Sequence, residues 1–210
     1  MADNYLEKRY DEVFGKKTLV KKVGRTLDSL FLENRSTRGY KSDFIVREEV
    51  LRKIIGVNTK IASARNQQVL RFKIVLSDKA PLLLQHVKMG GQLPELHLPF
   101  KGTEPNAFIV VCSTIEENKN VDIDLGISLQ SMLLKAVEIG LNGLIIGSFN
   151  RKEITKAFDL KYIPLAILAI GKSKEKFRLQ EISETDNHNY FRQEDNTHIV
   201  PKVKIDDLII

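Results

Sequence analysis

The sequence is short of the residues from which most easily recognised chemistries are built. It holds one cysteine, Cys112, so no internal disulfide can form; that residue lies in the apolar run 107–112, where a thiol behaves as a small hydrophobe. The four histidines, His86, His97, His188 and His198, show neither an H-E-x-x-H spacing nor a close Cys/His pattern, which argues against metal catalysis. There is no G-x-S-x-G elbow and no His near Cys112 in sequence, which argues against acyl transfer. Gly90-Gly91 is not followed by Gly-Lys-Ser, and no GxGxxG occurs, so any nucleotide is held in another way. No run approaches the ~18 apolar residues of a membrane span, and residues 1–5 lack the basic and apolar regions of a signal peptide. The expectation is a cytoplasmic protein with no membrane partner.

What is present is an ordinary globular composition. With 210 residues, 42% of them apolar, the chain can bury one core, and 29% charged residues of mixed sign read as a solvated surface. The net charge of +6 comes from 33 basic and 27 acidic residues. It suits an anionic small ligand at least as well as nucleic acid, because Lys16, Lys17, Lys21, Lys22 and Arg25 form a short mixed segment with Asp11 and Glu12 upstream. Nucleic acid is not expected as a partner.

Apolar spacing organises the chain. Leu6, Tyr10, Val13 and Phe14 predict an amphipathic helix within an N-terminal extension, 1–25, and a second helix begins at Thr26 and ends before the polar stretch 33–40. Further helices are expected from Arg47 to about Asn58, from Pro81 through Leu84 and Val87, and from 124 to Gly140 with Asp122 or Asp124 as cap. The last is apolar nearly all round, as at the centre of a domain or a dimer. A capping box at Asn150 and Glu153 opens another helix. Strands are expected at 71–76, 107–112, 143–147 and 165–171, and the glycine- and proline-rich region 88–102 reads as a substrate-facing loop. After Gly171 the chain turns polar, an arm ending in the apolar, strand-like segment 199–205.

Three polar clusters carry the candidate chemistry. Arg35-Ser36-Thr37-Arg38 offers two planar guanidiniums and two hydroxyls in a short loop, suited to a phosphate or to nothing more than a solvated turn. Ser63, Asn66 and Gln68 can hydrogen-bond a heterocycle, or cap the strand that follows. Lys202 and Lys204 project to one side of a strand, as they would at an anionic site or on a lysine-guarded edge.

In this order the clusters resemble the nitroreductase family. Residues 34–40 are similar to its Arg-x-Ser-x-Arg/Lys-x-Phe/Tyr motif, with Asn34 in place of the first basic residue. Residues 63–68 resemble its Ser-x-x-Asn-x-Gln-Pro-Trp segment, with Val69 and Leu70 where Pro and Trp are usual. Asp124-Leu125-Gly126 with Gln130 resembles the start of its central helix, 140–149 its strand beside the flavin, and 168–171 with 198–204 its last strand and tail. The resemblance spans roughly 26–210.

It implies an α+β fold with a central antiparallel sheet flanked by helices, an intertwined homodimer, and FMN at two interfacial sites. It assigns Ser36, Arg35, Lys202 and Lys204 to the phosphate end, Arg38 and Asn66 to the pyrimidine edge, and Ile145, Ile146, Gly147 and Ser148 to the ring face, with Gln68 among the cofactor-binding residues. The activity implied is hydride transfer from NADPH or NADH through FMN to a small-molecule oxidant such as a nitroaromatic or quinone, with no catalytic acid or base of its own. The alternative is a flavin carrier or sensor without efficient turnover.

Overall fold

The computed structural model describes residues 24–91 and 96–210; the expected helix around Leu6 to Phe14 lies outside them. Helix α1 (Leu27–Glu33) starts where Thr26 accepts a hydrogen bond from the Ser29 N–H at 3.2 Å. Next come α2 (Glu48–Ile55), β1 (Leu70–Val75), α3 (Ala80–Leu84), β2 (Ala107–Ser113), α4 (Lys119–Glu138), β3 (Asn142–Ile146), α5 (Arg151–Ala157), β4 (Ile163–Gly171), β5 (Phe177–Ile182), β6 (Phe191–Arg192) and β7 (His198–Val203).

Four strands form an antiparallel sheet in the order β1-β2-β4-β3. Its central strands are apolar on both faces because both faces are covered. Ile109 and Val111 of β2 pack with Leu51 and Ile54 of α2 and Met132, Leu133 and Ala136 of α4. Phe108 and Val110, pointing the opposite way, pack with Leu83 of α3 and Ile154 of α5. The α+β fold with an antiparallel central sheet is as expected, and no helix among the described residues is long and apolar enough to cross a membrane.

Two segments differ from the sequence-based expectation. Helix α4 begins at Lys119, and its cap is Asn118, whose side chain accepts from the N–H groups of Asn120 at 3.0 Å and Val121 at 3.3 Å. Asp122 and Asp124 therefore lie inside the helix, and Asp124 does a different job, described below. The polar arm is largely a second sheet: β7 pairs in parallel with β5, Phe177 opposite His198, and antiparallel with β6. Alternation in β5 was masked by its charges, and a parallel partner some twenty residues on leaves no local signal.

Candidate functional site

The Arg35–Arg38 loop is laid along the free edge of β3. Asn142 fixes its start: the side-chain amide donates to Glu33 O at 2.9 Å, and its oxygen accepts from the Arg35 N–H at 3.3 Å. Ser36 then bridges Gly143 in the parallel sense, and the Thr37 N–H donates to Gly143 O at 3.0 Å. Thr37 is fully buried, and its carbonyl accepts from the Tyr40 hydroxyl at 2.7 Å. Burial raises the Tyr40 pKa well above the phenol's ordinary value, so the hydroxyl stays a donor. The loop thus runs in the direction in which β3 advances towards Ile145 and Gly147.

Side chains on this edge divide by role. Ser36 is exposed, and its hydroxyl has no hydrogen bond among the described residues. Ile145, Gly147 and Ser148 are exposed, and a Cβ built on Gly147 meets nothing within 4 Å, which leaves room for a flat group. Ile146 departs from the group: its side chain is buried in the core with Phe108 and Ile167, so it can offer only backbone. Arg35 folds back onto its own helix, Nε donating to Leu32 O at 3.1 Å and Nη2 to Phe31 O, and burial lowers its pKa. Its guanidinium thus satisfies carbonyls of the last turn of α1, whose cap residue is Asn34.

Arg38 is held by its own loop and by residues of the tail that flank the strands of the second sheet. Its N–H donates to Glu175 Oε2 at 2.8 Å, Nη1 to Ser36 O at 3.3 Å, and Nη2 to the Tyr190 hydroxyl at 3.3 Å, with the guanidinium 5.1 Å from the Tyr190 ring centre. Its Nε is buried with no partner among the described residues. Glu175 also pairs with Arg192, an almost fully buried ion pair, and His198 stacks between Phe177 and Tyr190. Neither Glu175, Tyr190, Arg192 nor His198 was singled out from sequence, since nothing local links Arg38 to residues some 150 positions away.

The Ser63–Gln68 cluster is a separate structure. Asp124 accepts from Ser63 Oγ at 2.6 Å and from the Ala64 N–H at 2.7 Å, and Ser63 Oγ in turn accepts from the Gln68 N–H at 3.0 Å. Gln68 Nε2 donates to Asn66 Oδ1 at 3.0 Å. Arg65, Asn66 and Gln68 all have positive φ, 53°, 54° and 49°, a region that side-chain-bearing residues seldom adopt. A cavity of about 1070 Å³ along β1 takes in Ser63 and Gln68 but none of Arg35, Ser36, Arg38 or 145–148.

Helix α4 separates the two clusters. Asn34, at the head of the first, donates to Gln130 at 3.4 Å, while the second is tied to Asp124. Six helical positions are about 9 Å along the axis and ~240° around it, so the two attachments lie on different sides of the helix. Lys202 and Lys204 belong to β7 and its end; Lys202 is exposed opposite Glu181, and the Lys204 ammonium lies 3.6 Å from Asp207.

A family model described as the Nitroreductase family matches residues 32–172, so β5, β6 and β7 fall beyond it. No curated protein matches the chain significantly. Similar solved structures include an FMN-dependent nitroreductase from Clostridium difficile, 25% identical over 71% of this chain and 89% of that one, with a TM-score of 0.59. Another is a protein from Exiguobacterium sibiricum in complex with FMN, 19% identical over 73% of this chain and 91% of its own, TM-score 0.60. A third, from Staphylococcus epidermidis and described as an NAD(P)H:FMN oxidoreductase, is 18% identical over 74% and 91%, TM-score 0.58.

Proposed function

This chain belongs to the nitroreductase family, a premise from which we propose that it is an FMN-dependent oxidoreductase using NADH or NADPH, with its sites between two copies of the chain. The observation that carries the reading is the edge of β3. The Ser36–Gly143 bridge sets a loop with an exposed hydroxyl and a buried, unpartnered guanidinium Nε on the strand that leads to the open face at Gly147. Those groups fit FMN: Ser36 suits its phosphate, Arg38 its pyrimidine edge, and the backbone and exposed side chains at 145–148 its ring.

The chemistry that FMN would supply here when bound is two-electron transfer from a nicotinamide to an oxidant such as a nitroaromatic or quinone. The chain's own residues bind and orient. Arg38 keeps a positive charge beside the pyrimidine, where two-electron reduction places negative charge. Gly147 presents a backbone N–H with no side chain in the way, and Lys202 and Lys204 add cations for the phosphate. No acid or base on the protein is called for, since stacking geometry and electrostatics set the rate.

Two copies account for the separation of the clusters. Asn66 and Gln68 are tied to a different side of α4 from the loop that carries Ser36 and Arg38, and a second subunit is the source that brings them to the same ring system. The strained backbone at 65–68, locked by Asp124, supports a binding role for that turn. Exposed Leu27, Phe31 and Leu32 on α1 supply an apolar surface for the pairing.

The purified protein is expected to show the visible absorption bands of flavin, bleached anaerobically by NADH or NADPH and restored by a nitroaromatic or quinone. A colourless protein that takes up no FMN on titration defeats the reading; flavin that binds but is not bleached leaves a carrier or sensor.

A further inference from the structure

The tail after Gly171 lies outside the matched family segment, yet two of its residues, Glu175 just before β5 and Tyr190 just before β6, make most of the contacts to Arg38. We propose that Tyr190 and Glu175 are positioning residues that preset the Arg38 guanidinium and its loop for the flavin's pyrimidine edge. The inference rests on the flavin reading of Arg38 given above.

Each contact fixes a different degree of freedom. Glu175 Oε2 accepts the Arg38 N–H at 2.8 Å and so holds the loop backbone, while Oε1 is anchored by Arg192. That carboxylate lies against Gly39: a Cβ there would come within 3.3 Å of Glu175 Cγ. The Lys174 N–H donates to Gly39 O at 3.0 Å and the Lys41 N–H to Lys172 O at 2.9 Å, so the start of the tail and the loop are laced together. Tyr190 then takes the far end of the side chain, its hydroxyl accepting from Nη2 and its ring lying beside the guanidinium. Tyr190 is itself held by His198 of β7, ring centres 4.9 Å apart.

A free arginine has many rotamers to lose when it meets a ligand, and a guanidinium held at both ends has few. The donor left over is Nε, buried and unpartnered. The tail therefore does more than cover the loop: it fixes where the guanidinium's charge sits.

The test uses the intact protein and reads two quantities other than turnover: the FMN dissociation constant, from quenching of flavin fluorescence, and the midpoint potential of bound flavin. Tyr190→Phe keeps the ring and the fold but loses the acceptor; Glu175→Gln keeps the shape but loses the charge. Each is expected to weaken FMN about two- to tenfold, the range of one ordinary hydrogen bond. Tyr190→Phe also shifts the potential to more negative values, because a loosely held cation stabilises the reduced group less; Glu175→Gln is read on FMN affinity, since losing its own negative charge beside Arg38 and Arg192 by itself raises the potential. A merely structural role lowers the unfolding midpoint and leaves the potential unchanged, which overturns the proposal. If Arg38→Ala weakens FMN while both tail variants match wild type, the tail's part falls and the flavin role of Arg38 stands. If Arg38→Ala binds FMN as wild type does, both fall.

Discussion

Asp124 and Ser63 are joined by a 2.6 Å hydrogen bond that ties the middle of the sequence to the turn before the first strand. The carboxylate is 5% exposed and also accepts the Ala64 N–H, while Ser63 passes the link on to Gln68. A carboxylate on one side of a helix thereby dictates a backbone with three positive φ angles.

Removing that carboxylate strands two donors. Asp124→Ala is expected to lower stability by about 1.5 to 3 kcal/mol, the scale of hydrogen bonds to a charged group. Urea unfolding measures it, and a midpoint equal to wild type would mean that the turn holds itself.

The same residue marks how far the sequence could be read. Asp124 was legible as important, but as a cap, because acidic residues ahead of an apolar run look like a helix start; the true cap, Asn118, is followed by the polar pair Lys119-Asn120 and is hidden by it. The strands 107–113 and 163–171 were plain, since burial on both faces writes itself as continuous apolar runs. Of the candidate site, the Arg35–Arg38 loop drew notice as a polar cluster, and the roles proposed for Ser36, Arg38 and the segment around Gly147 came through the resemblance to the nitroreductase family. Tyr190 and Glu175 were not, because their link to Arg38 exists only after the second sheet has folded.

Gly143 offers a second check on the β3 edge. A Cβ there would stand 2.6 Å from Ala169 O and 2.7 Å from Leu133 Cδ2, and the backbone atom in that pair cannot easily move. Gly143→Ala should cost about 1 to 3 kcal/mol by overpacking. It should also loosen the Ser36 bridge and so weaken FMN in the same preparation. Thermal unfolding and FMN titration unchanged from wild type would show that the strand has room to shift.

Association can be tested on α1, which runs antiparallel to α4, with Arg25 reaching Val137 O at one end and Asn34 reaching Gln130 at the other. That alignment leaves Leu32 63% exposed. Leu32→Glu should convert a dimer to monomer in sedimentation velocity, and FMN affinity should fall with it if the sites are shared. A wild-type protein that sediments as a folded monomer at micromolar concentration removes the interfacial site.

His198 makes stability depend on pH. The residue is 2% exposed, its ring stacked 5.4 Å from Phe177, and neither ring nitrogen has a hydrogen-bond partner among the described residues. Burial is the main reason that its pKa is pushed down to about 4, with Arg192 and Arg38 adding repulsion and Glu175 opposing them in part. The folded protein therefore holds the imidazole neutral, whereas the unfolded chain protonates it near 6.5. Between those two values the unfolded state binds more protons, so stability rises with pH across the window. The contribution is fully present above about 6.5, is lost as pH falls towards about 4, and has an upper scale of about 3 kcal/mol. Carboxylates contribute their own acid dependence, so the comparison must be with His198→Phe, which keeps a stacked ring and cannot titrate. Urea unfolding at pH 7.5 and pH 5 should show wild type losing more stability than the variant does. Equal losses would mean that the imidazole finds a partner when protonated, with Glu175 the carboxylate that already favours its charged form.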